Sequence, residues 1–389
     1  MEHAGQTRII RAEDVAVMGV TEILRHIPRI YASYRKLVAS IKQQRPDLAI
    51  LIDFPDVNFR LAKHLAKAGV PVVWFVSPQL WAWKRSRIRW VQQRVSNMLV
   101  IFPFEETFYR DRDVDAEFVG HPLAELPFPT STRESYAALH HLDPAKTWIA
   151  LLPGSRWKEI RANLPTLHEL AMSDLINSSA FYTTADGSNI TLPSNPSALT
   201  HYEFLLPVAS TIDTTALRAY IHELNAEHLK YFGPEASTLR LILVPDAREA
   251  LHHARASVVA SGTATVQAAV IGNPFVVVYR VSPLTFALAK SLVRYPAEFR
   301  DMPDASGNQP IAMVNLIAQQ RLVPELLQSN FTAANVATAL APLLADTPTR
   351  DRQIVGLSRV RQSLQSPTQT PSITRVAETV LNLLSKPTP

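Results

Sequence analysis

The sequence predicts an α/β chain built on parallel, doubly wound sheets, and three observations carry that expectation. Short apolar runs alternate with stretches of helical periodicity along most of the 389 residues. Those runs are apolar throughout, as strands covered by helices on both faces should be. Hydrophobic residues make up 47% of the chain, enough for a large core divided over two or three domains.

The first element, Thr21 to Arg45, is helical. Ile23, Ile27, Ile30, Tyr31, Tyr34, Leu37, Val38 and Ile41 recur at spacings of three and four, opposite Arg25, Arg29, Arg35, Lys36, Lys42 and Arg45. Pro28 starts or kinks this helix and Pro46 ends it. Leu48 to Ile52 is a strand buried on both faces, Phe59 to Ala68 a helix capped by Gly69, and Pro71 to Val76 the next strand. Met98 to Phe102 and Glu117 to Val119 read as later strands. A second alternating series begins after Asp143-Pro144, with strands at Trp148 to Leu152, Phe204 to Pro207, Leu241 to Val244, Ser257 to Ala260 and Phe275 to Tyr279. Met172 to His201 is rich in Ser, Thr, Asn and Pro, shows little periodicity and reads as an inserted surface loop. Ala333 to Leu384 reads as helices broken between Gln365 and Pro371.

Composition excludes several chemistries. There is no cysteine, which removes disulfides, thiolate metal sites, iron–sulfur clusters and cysteine nucleophiles. Lys and Arg number 39 against 34 Asp and Glu, a net charge of +5. That balance suits anionic ligands or an anionic membrane surface but is too weak to indicate nucleic acid. The 12 histidines show no metal-ligand spacing. The opening residues lack the apolar core of a signal peptide, and the charge-free run between Arg255 and Arg280 is broken by polar residues, Gly and Pro. The expectation is a soluble intracellular chain.

Four short constellations have chemical potential. Asp53 lies just past a buried strand, where open α/β sheets bind ligands, and its carboxylate suits a general base. The competing reading is a turn with Asp56 or Asn58 capping the next helix. In Pro153-Gly154-Ser155-Arg156 a strand enters a Gly turn before a helix, so helix-start N–H groups and Arg156 fit phosphate oxygens; an ordinary turn is the alternative. Ser261-Gly262-Thr263 repeats that arrangement, as caps or as diphosphate donors. His121, in Gly120-His121-Pro122, is a structural or a functional histidine. Trp81 and Trp83 are core anchors or walls of an apolar groove. The basic amphipathic segments Thr21 to Arg45 and Pro283 to Arg294 fit either a core helix with a charged outer face or an anionic bilayer.

Read together, these segments resemble the lipid-A-disaccharide synthase family of bacterial glycosyltransferases. The matching stretches are Val15-Ala-Val-Met-Gly19, Ile52-Asp-Phe-Pro-Asp-Val-Asn58, Val76-Ser-Pro-Gln-Leu-Trp-Ala-Trp83, Phe102-Pro-Phe-Glu-Glu-Thr-Phe-Tyr109, Phe118-Val-Gly-His-Pro122, Leu151-Leu-Pro-Gly-Ser-Arg156, Ala260-Ser-Gly-Thr-Ala-Thr265 and Tyr279-Arg-Val-Ser-Pro-Leu-Thr-Phe286. Asn315-Leu316 and Val323-Pro-Glu-Leu-Leu-Gln328 continue the order. The resemblance implies a GT-B fold, two Rossmann-like doubly wound domains facing a cleft. An acceptor-side domain would span 1–143, and a nucleotide-sugar domain 144–345 with the insert 172–201. The helices of 346–389 would cross back to the first domain. It implies inverting transfer of 2,3-diacylglucosamine from UDP to 2,3-diacylglucosamine 1-phosphate, with no metal and no cofactor, the UDP-sugar being a substrate.

The acylated substrates imply a cytoplasmic enzyme held peripherally at the inner face of the cytoplasmic membrane, with no nucleic-acid partner. By the same resemblance Asp53 is the base. Gly154, Ser155, Arg156, Ser261, Gly262, Thr263, Gln267, Tyr279, Arg280 and Asn315 hold the nucleotide sugar. Asp56, Asn58, Ser77, Trp81, Trp83 and His121 form the acceptor side or its frame. The sequence departs from the family at three places. No segment matches its opening Gly-Glu-Ala-Ser-Gly-Asp loop, so the first strand and helix of the N-terminal domain are expected to be absent. Gln267 replaces a Glu, and 172–201 is unmatched. Another GT-B UDP-sugar enzyme, such as an N-acetylglucosamine transferase or 2-epimerase, and an inactive nucleotide- or membrane-binding remnant are the alternatives.

Overall fold

Four strands pair in chain order, all parallel: β1 (Ala49–Ile52), β2 (Val72–Phe75), β3 (Asn97–Val100) and β4 (Ala116–Phe118). The structure, a computed structural model, describes residues 5, 7–10, 20–172, 181–183, 189–191, 201–233, 241–293, 295, 299 and 301–385. Parallel neighbours require crossovers, supplied here by the helices Pro55–Lys67, Ile88–Arg94 and Pro103–Arg110. Phe59, Leu61 and Leu65 on the first of these are buried together with all of β2, and the Phe59 ring lies 4.8 Å from that of Trp74.

The outer strand β1 corrects one expectation. Leu51 is buried, but Ile50 and Ile52 are 45% and 51% exposed. Side chains alternate between faces, so an edge strand can bury one residue and show the next. An apolar run reports strand propensity, not how many faces are covered. The helix Val20–Gln44, with Pro28 inside it, precedes β1 and meets Pro55–Lys67, where Tyr34 Oη is 3.0 Å from His64 Nε2. Met1–Pro122 and Ser366–Pro389 together make one compact unit. On the helix Ser372–Ser385, Arg375 binds both carboxylate oxygens of Glu117 on β4, at 2.5 and 3.1 Å.

Leu123–Gln365 makes the second unit. Its strands are β5 (Thr147–Leu152), β8 (Tyr202–Pro207), β9 (Leu241–Val244), β10 (Ala256–Ala260), β11 (Phe275–Tyr279) and β12 (Glu325–Leu327). They form one parallel sheet ordered β12-β11-β10-β5-β8-β9. Counted from the sheet's own first strand, the order from the β9 edge is 3-2-1-4-5-6, the dinucleotide-binding Rossmann arrangement. Ile149 and Leu151 pack with Leu164 and Leu167 of the helix Trp157–Met172, and with Val258, Val276, Phe331 and Leu340, into one core. β12 is not among the strands anticipated from the sequence.

Within the expected loop of 172–201, β6 (Phe181–Thr183) and β7 (Asn189–Thr191) pair as an antiparallel hairpin. A two-stranded ribbon needs no long periodic run, so the sequence hid it. The remainder of that insert, the Val15 to Gly19 match and Arg294 lie outside the described residues. Among the described residues no helix is long and apolar enough to cross a membrane.

Candidate functional site

The register of the first sheet aligns the carboxyl ends of its strands, pairing Ile52 with Phe75, Phe75 with Leu99, and Val100 with Phe118. Asp53, Val76-Ser77 and Gly120-His121 therefore leave the same edge, where α/β sheets place their ligands. Three residues there hold left-handed backbone: Asp53 at φ 45°, Phe54 at 44° and Val76 at 62°. For a β-branched Val this is a true outlier, and such conformations cost about 1–3 kcal/mol each. They persist because the surroundings over-determine them. Asp53 N–H donates to Phe75 O and Val76 N–H to Leu99 O, at 3.0 and 3.1 Å. Asn58 Nδ2 donates to Ile52 O and Asp53 O, at 3.1 and 2.7 Å. The Asp53 carboxylate is thereby presented to solvent from a fixed turn.

Asn58 and Asp56 do not cap the helix as expected. The cap position is Phe54, without a side-chain bond. Asn58 donates backward to carbonyls, and Asp56 pairs with Arg87 Nη1 at 2.9 Å. Once Phe54 turns left-handed, the helix starts at Pro55 and both polar residues fall inside it.

Sequence reasoning gave Glu105 no role. It is 1% exposed and gathers three donors: Ser77 Oγ at 2.8 Å, Trp81 Nε1 at 3.1 Å and Phe102 N–H at 3.2 Å. Burial pushes its carboxyl up to about 7, against the opposing pull of those hydrogen bonds. In the fold it closes a capping box at the start of the helix Pro103–Arg110, and its burial has no signal in the local sequence. Through Glu105, Ser77 and Trp81 are frame residues; Trp81 also meets Phe104 edge-on at 5.2 Å. Trp83 is exposed, with the Lys84 ammonium 3.9 Å from its ring centre. His121 is buried, its ring 5.4 Å from Phe102, and burial lowers its pKa to about 4, leaving it neutral near pH 7.

In the second sheet β5 and β10 are neighbours, with Leu152 opposite Val259. Chain order reverses between them, so both Gly turns emerge at the topological switch point. Gly262 (φ 154°) occupies the cap position of the helix Thr263–Ile271 and supplies no side chain to it. Ser261 and Thr263 do not cap it; the Thr265 N–H bonds back to the Gly262 carbonyl at 3.1 Å, so the N–H groups of Thr263 and Ala264 are the ones that fit an anion at that end. At the other turn the geometry is more crowded. Glu159 accepts from Ser155 N–H at 2.9 Å and from Arg156 Nη1 at 3.1 Å. A phosphate arriving here must displace an internal carboxylate from those donors. A Cβ on Gly154 (φ 131°) would lie 2.5 Å from Glu159, so only glycine fits. Asn163 Nδ2 fastens the Pro153 carbonyl at 2.8 Å, as Asn58 does in the first unit.

Tyr279 is half-buried at the end of β11; burial, then the charge of Glu159, raises its pKa. Gln267 is half-buried on the helix Thr263–Ile271. Arg280 and Asn315 turn inward. Arg280 donates to Thr166 Oγ1 at 2.9 Å and to the Phe331 carbonyl, and lies over the Phe331 ring. Asn315 is fully buried, exchanges hydrogen bonds with the Val323 backbone and donates to Glu325 Oε1.

A family model described as lipid-A-disaccharide synthetase matches residues 1–183 and 210–376. A lipid-A-disaccharide synthase from Acidobacterium capsulatum is 50% identical over 99% of this chain and 87% of its own length. One from Koribacter versatilis is 43% identical over 99% and 89%. Among solved structures, a Listeria monocytogenes protein assigned as a UDP-N-acetylglucosamine 2-epimerase covers 96% of this chain and 81% of its own, with a TM-score of 0.50 and 9% identity, a likeness of fold alone.

Proposed function

Because this chain belongs to the lipid-A-disaccharide synthase family of UDP-sugar-dependent GT-B glycosyltransferases, we propose that it transfers 2,3-diacylglucosamine from UDP to 2,3-diacylglucosamine 1-phosphate. The products are the β-1,6 disaccharide phosphate and UDP. The observation that carries this reading is 50% identity to a synthase over 99% of the chain.

In this reading residues 1–143 serve the acceptor and 144–345 the nucleotide sugar. The grouping of Ser366–Pro389 with the first unit supports a return of that part of 346–389 to the acceptor side, while 346–365 groups with the second unit. The Asp53 carboxylate takes the proton of the acceptor C6 hydroxyl as its oxygen attacks C1 of the donor sugar. The C6 oxygen–C1 bond forms while the bond from C1 to the diphosphate oxygen breaks, and its electron pair leaves with UDP. Arg156 and the N–H groups at the start of Thr263–Ile271 stabilise that growing charge. Tyr279 and Gln267 border the same end of the sheet, while Arg280 and Asn315 hold its frame.

Incubating the 389-residue chain with both substrates and following the disaccharide phosphate by mass spectrometry tests the reading. Asp53→Asn should lower kcat about a hundredfold or more and leave UDP affinity in place. Asn accepts left-handed backbone readily, so the turn survives the change. Unchanged turnover would remove Asp53 as the base. Absence of product with UDP still bound would favour a nucleotide-binding remnant.

Acylated substrates require contact with a bilayer, and the helix Pro283–Leu292 supports that contact. Leu284, Leu288 and Leu292 stand exposed at one-turn spacing beside Lys290. Leu284→Ser with Leu288→Ser should reduce flotation with anionic vesicles; unaltered flotation would reject this helix as the contact.

A further inference from the structure

The acceptor of the proposed reaction carries a phosphate on the carbon across its ring oxygen from the attacking arm. A site for it must therefore lie one sugar ring from the base. Beyond the carboxyl end of β2 the chain reads Lys84-Arg85-Ser86-Arg87-Ile88-Arg89, four cations in six residues. Arg85–Arg87 forms a single 3-10 turn entered through left-handed Lys84, at φ 52°. This turn is fastened to the helix Pro55–Lys67 that follows Asp53. Arg87 Nη1 is 2.9 Å and Lys84 Nζ 4.0 Å from the carboxylate of Asp56, three residues after Asp53 in the chain.

Arg87 is unusually prepared for an anion. Its guanidinium lies 5.5 Å from the ring centre of Phe59 and 5.4 Å from that of Trp90. Its side chain is 21% exposed, whereas its carboxylate partner is 72% exposed. The aromatic pair fixes the planar fork, so little conformational freedom remains to be lost on binding. A single exposed carboxylate shared by Arg87 and Lys84 leaves the cluster with surplus positive charge, with Arg89 exposed beside it. Arg94 Nη1, by contrast, is committed to the Phe59 carbonyl at 3.2 Å.

Resting on the proposed transfer reaction, we infer that Lys84 and Arg87 bind the anomeric phosphate of the acceptor and set the enzyme's preference for a phosphorylated sugar. An anionic lipid headgroup presents the same chemistry, and the test separates the two. Transfer is measured in neutral detergent micelles to the acceptor with and without its 1-phosphate, for the wild type and for Lys84→Gln with Arg87→Gln. The ratio of kcat/KM between the two acceptors should fall about tenfold to a hundredfold in the double variant, through KM for the phosphorylated acceptor. Arg87→Lys keeps the charge but not the fork and should fall between, which guards against a variant that merely unfolds. An unchanged ratio overturns the inference. So does a ratio that changes only with anionic vesicles present, which assigns the cluster to the bilayer. Wild-type chain that glycosylates neither acceptor overturns the transfer reading itself, a result distinct from a retained preference.

Discussion

Glu105 and His121 sit on one edge of the first sheet with opposite proton demands. The folded Glu105 carboxyl holds its proton up to about 7, against 4.5 when unfolded, so between those values the folded state binds the extra proton. Stability therefore falls as pH rises from about 4.5 to 7, and Glu105→Gln should flatten that slope in denaturant titrations. His121 titrates at about 4 in the fold and 6.5 outside it. Its contribution is lost as pH falls from 6.5 toward 4, and His121→Asn should remove that part of the acid sensitivity. The sequence singled out Asp53, Gly154 and Gly262 because each follows a strand or interrupts one. It could not single out Glu105, because burial is not written in a local pattern. Nor could it show that Arg280 and Asn315 turn inward, since an Arg after a strand reads alike whether it faces ligand or core.

At the scale of elements, each unit repeats one device: an Asn on the helix after a strand donates to the carbonyls of the intervening turn. Asn58 clamps Ile52 and Asp53, and Asn163 clamps Pro153. Asn58→Ala frees the two carbonyls and should lower kcat roughly tenfold by loosening Asp53, with a stability cost of about 1–3 kcal/mol measurable in urea. The last helix buries Val376 and Thr379 and carries one paired contact to β4. Arg375→Ala removes both bonds to Glu117 and should cost about 1 kcal/mol or less, read as faster hydrogen exchange across Ser372–Ser385. Strand positions were legible to within a residue or two wherever the run was apolar, as at Leu241–Val244 and Phe275–Tyr279. The hairpin of β6 and β7 and the edge strand β12 were not, although β4, equally short, was.

For the whole molecule, ligand linkage should separate the two roles. UDP at a hundred times its Kd stabilises its unit by about 2.7 kcal/mol and should raise the melting transition of Leu123–Gln365. Arg156→Ala should shrink that shift, while Asp53→Asn should keep it; equal shifts in both variants would separate Arg156 from the nucleotide. The fold class, the family and most of the strands followed from the sequence alone, because periodicity, Gly turns and ordered motifs are local properties of the chain. Tertiary structure decided which strands became neighbours. The pairing of β5 with β10 brings together turns that lie about a hundred residues apart in sequence, and only hydrogen-bond register sets it. It also decided burial, and with it the charge state of Glu105 and His121, because a pKa depends on the water that surrounding chain segments exclude.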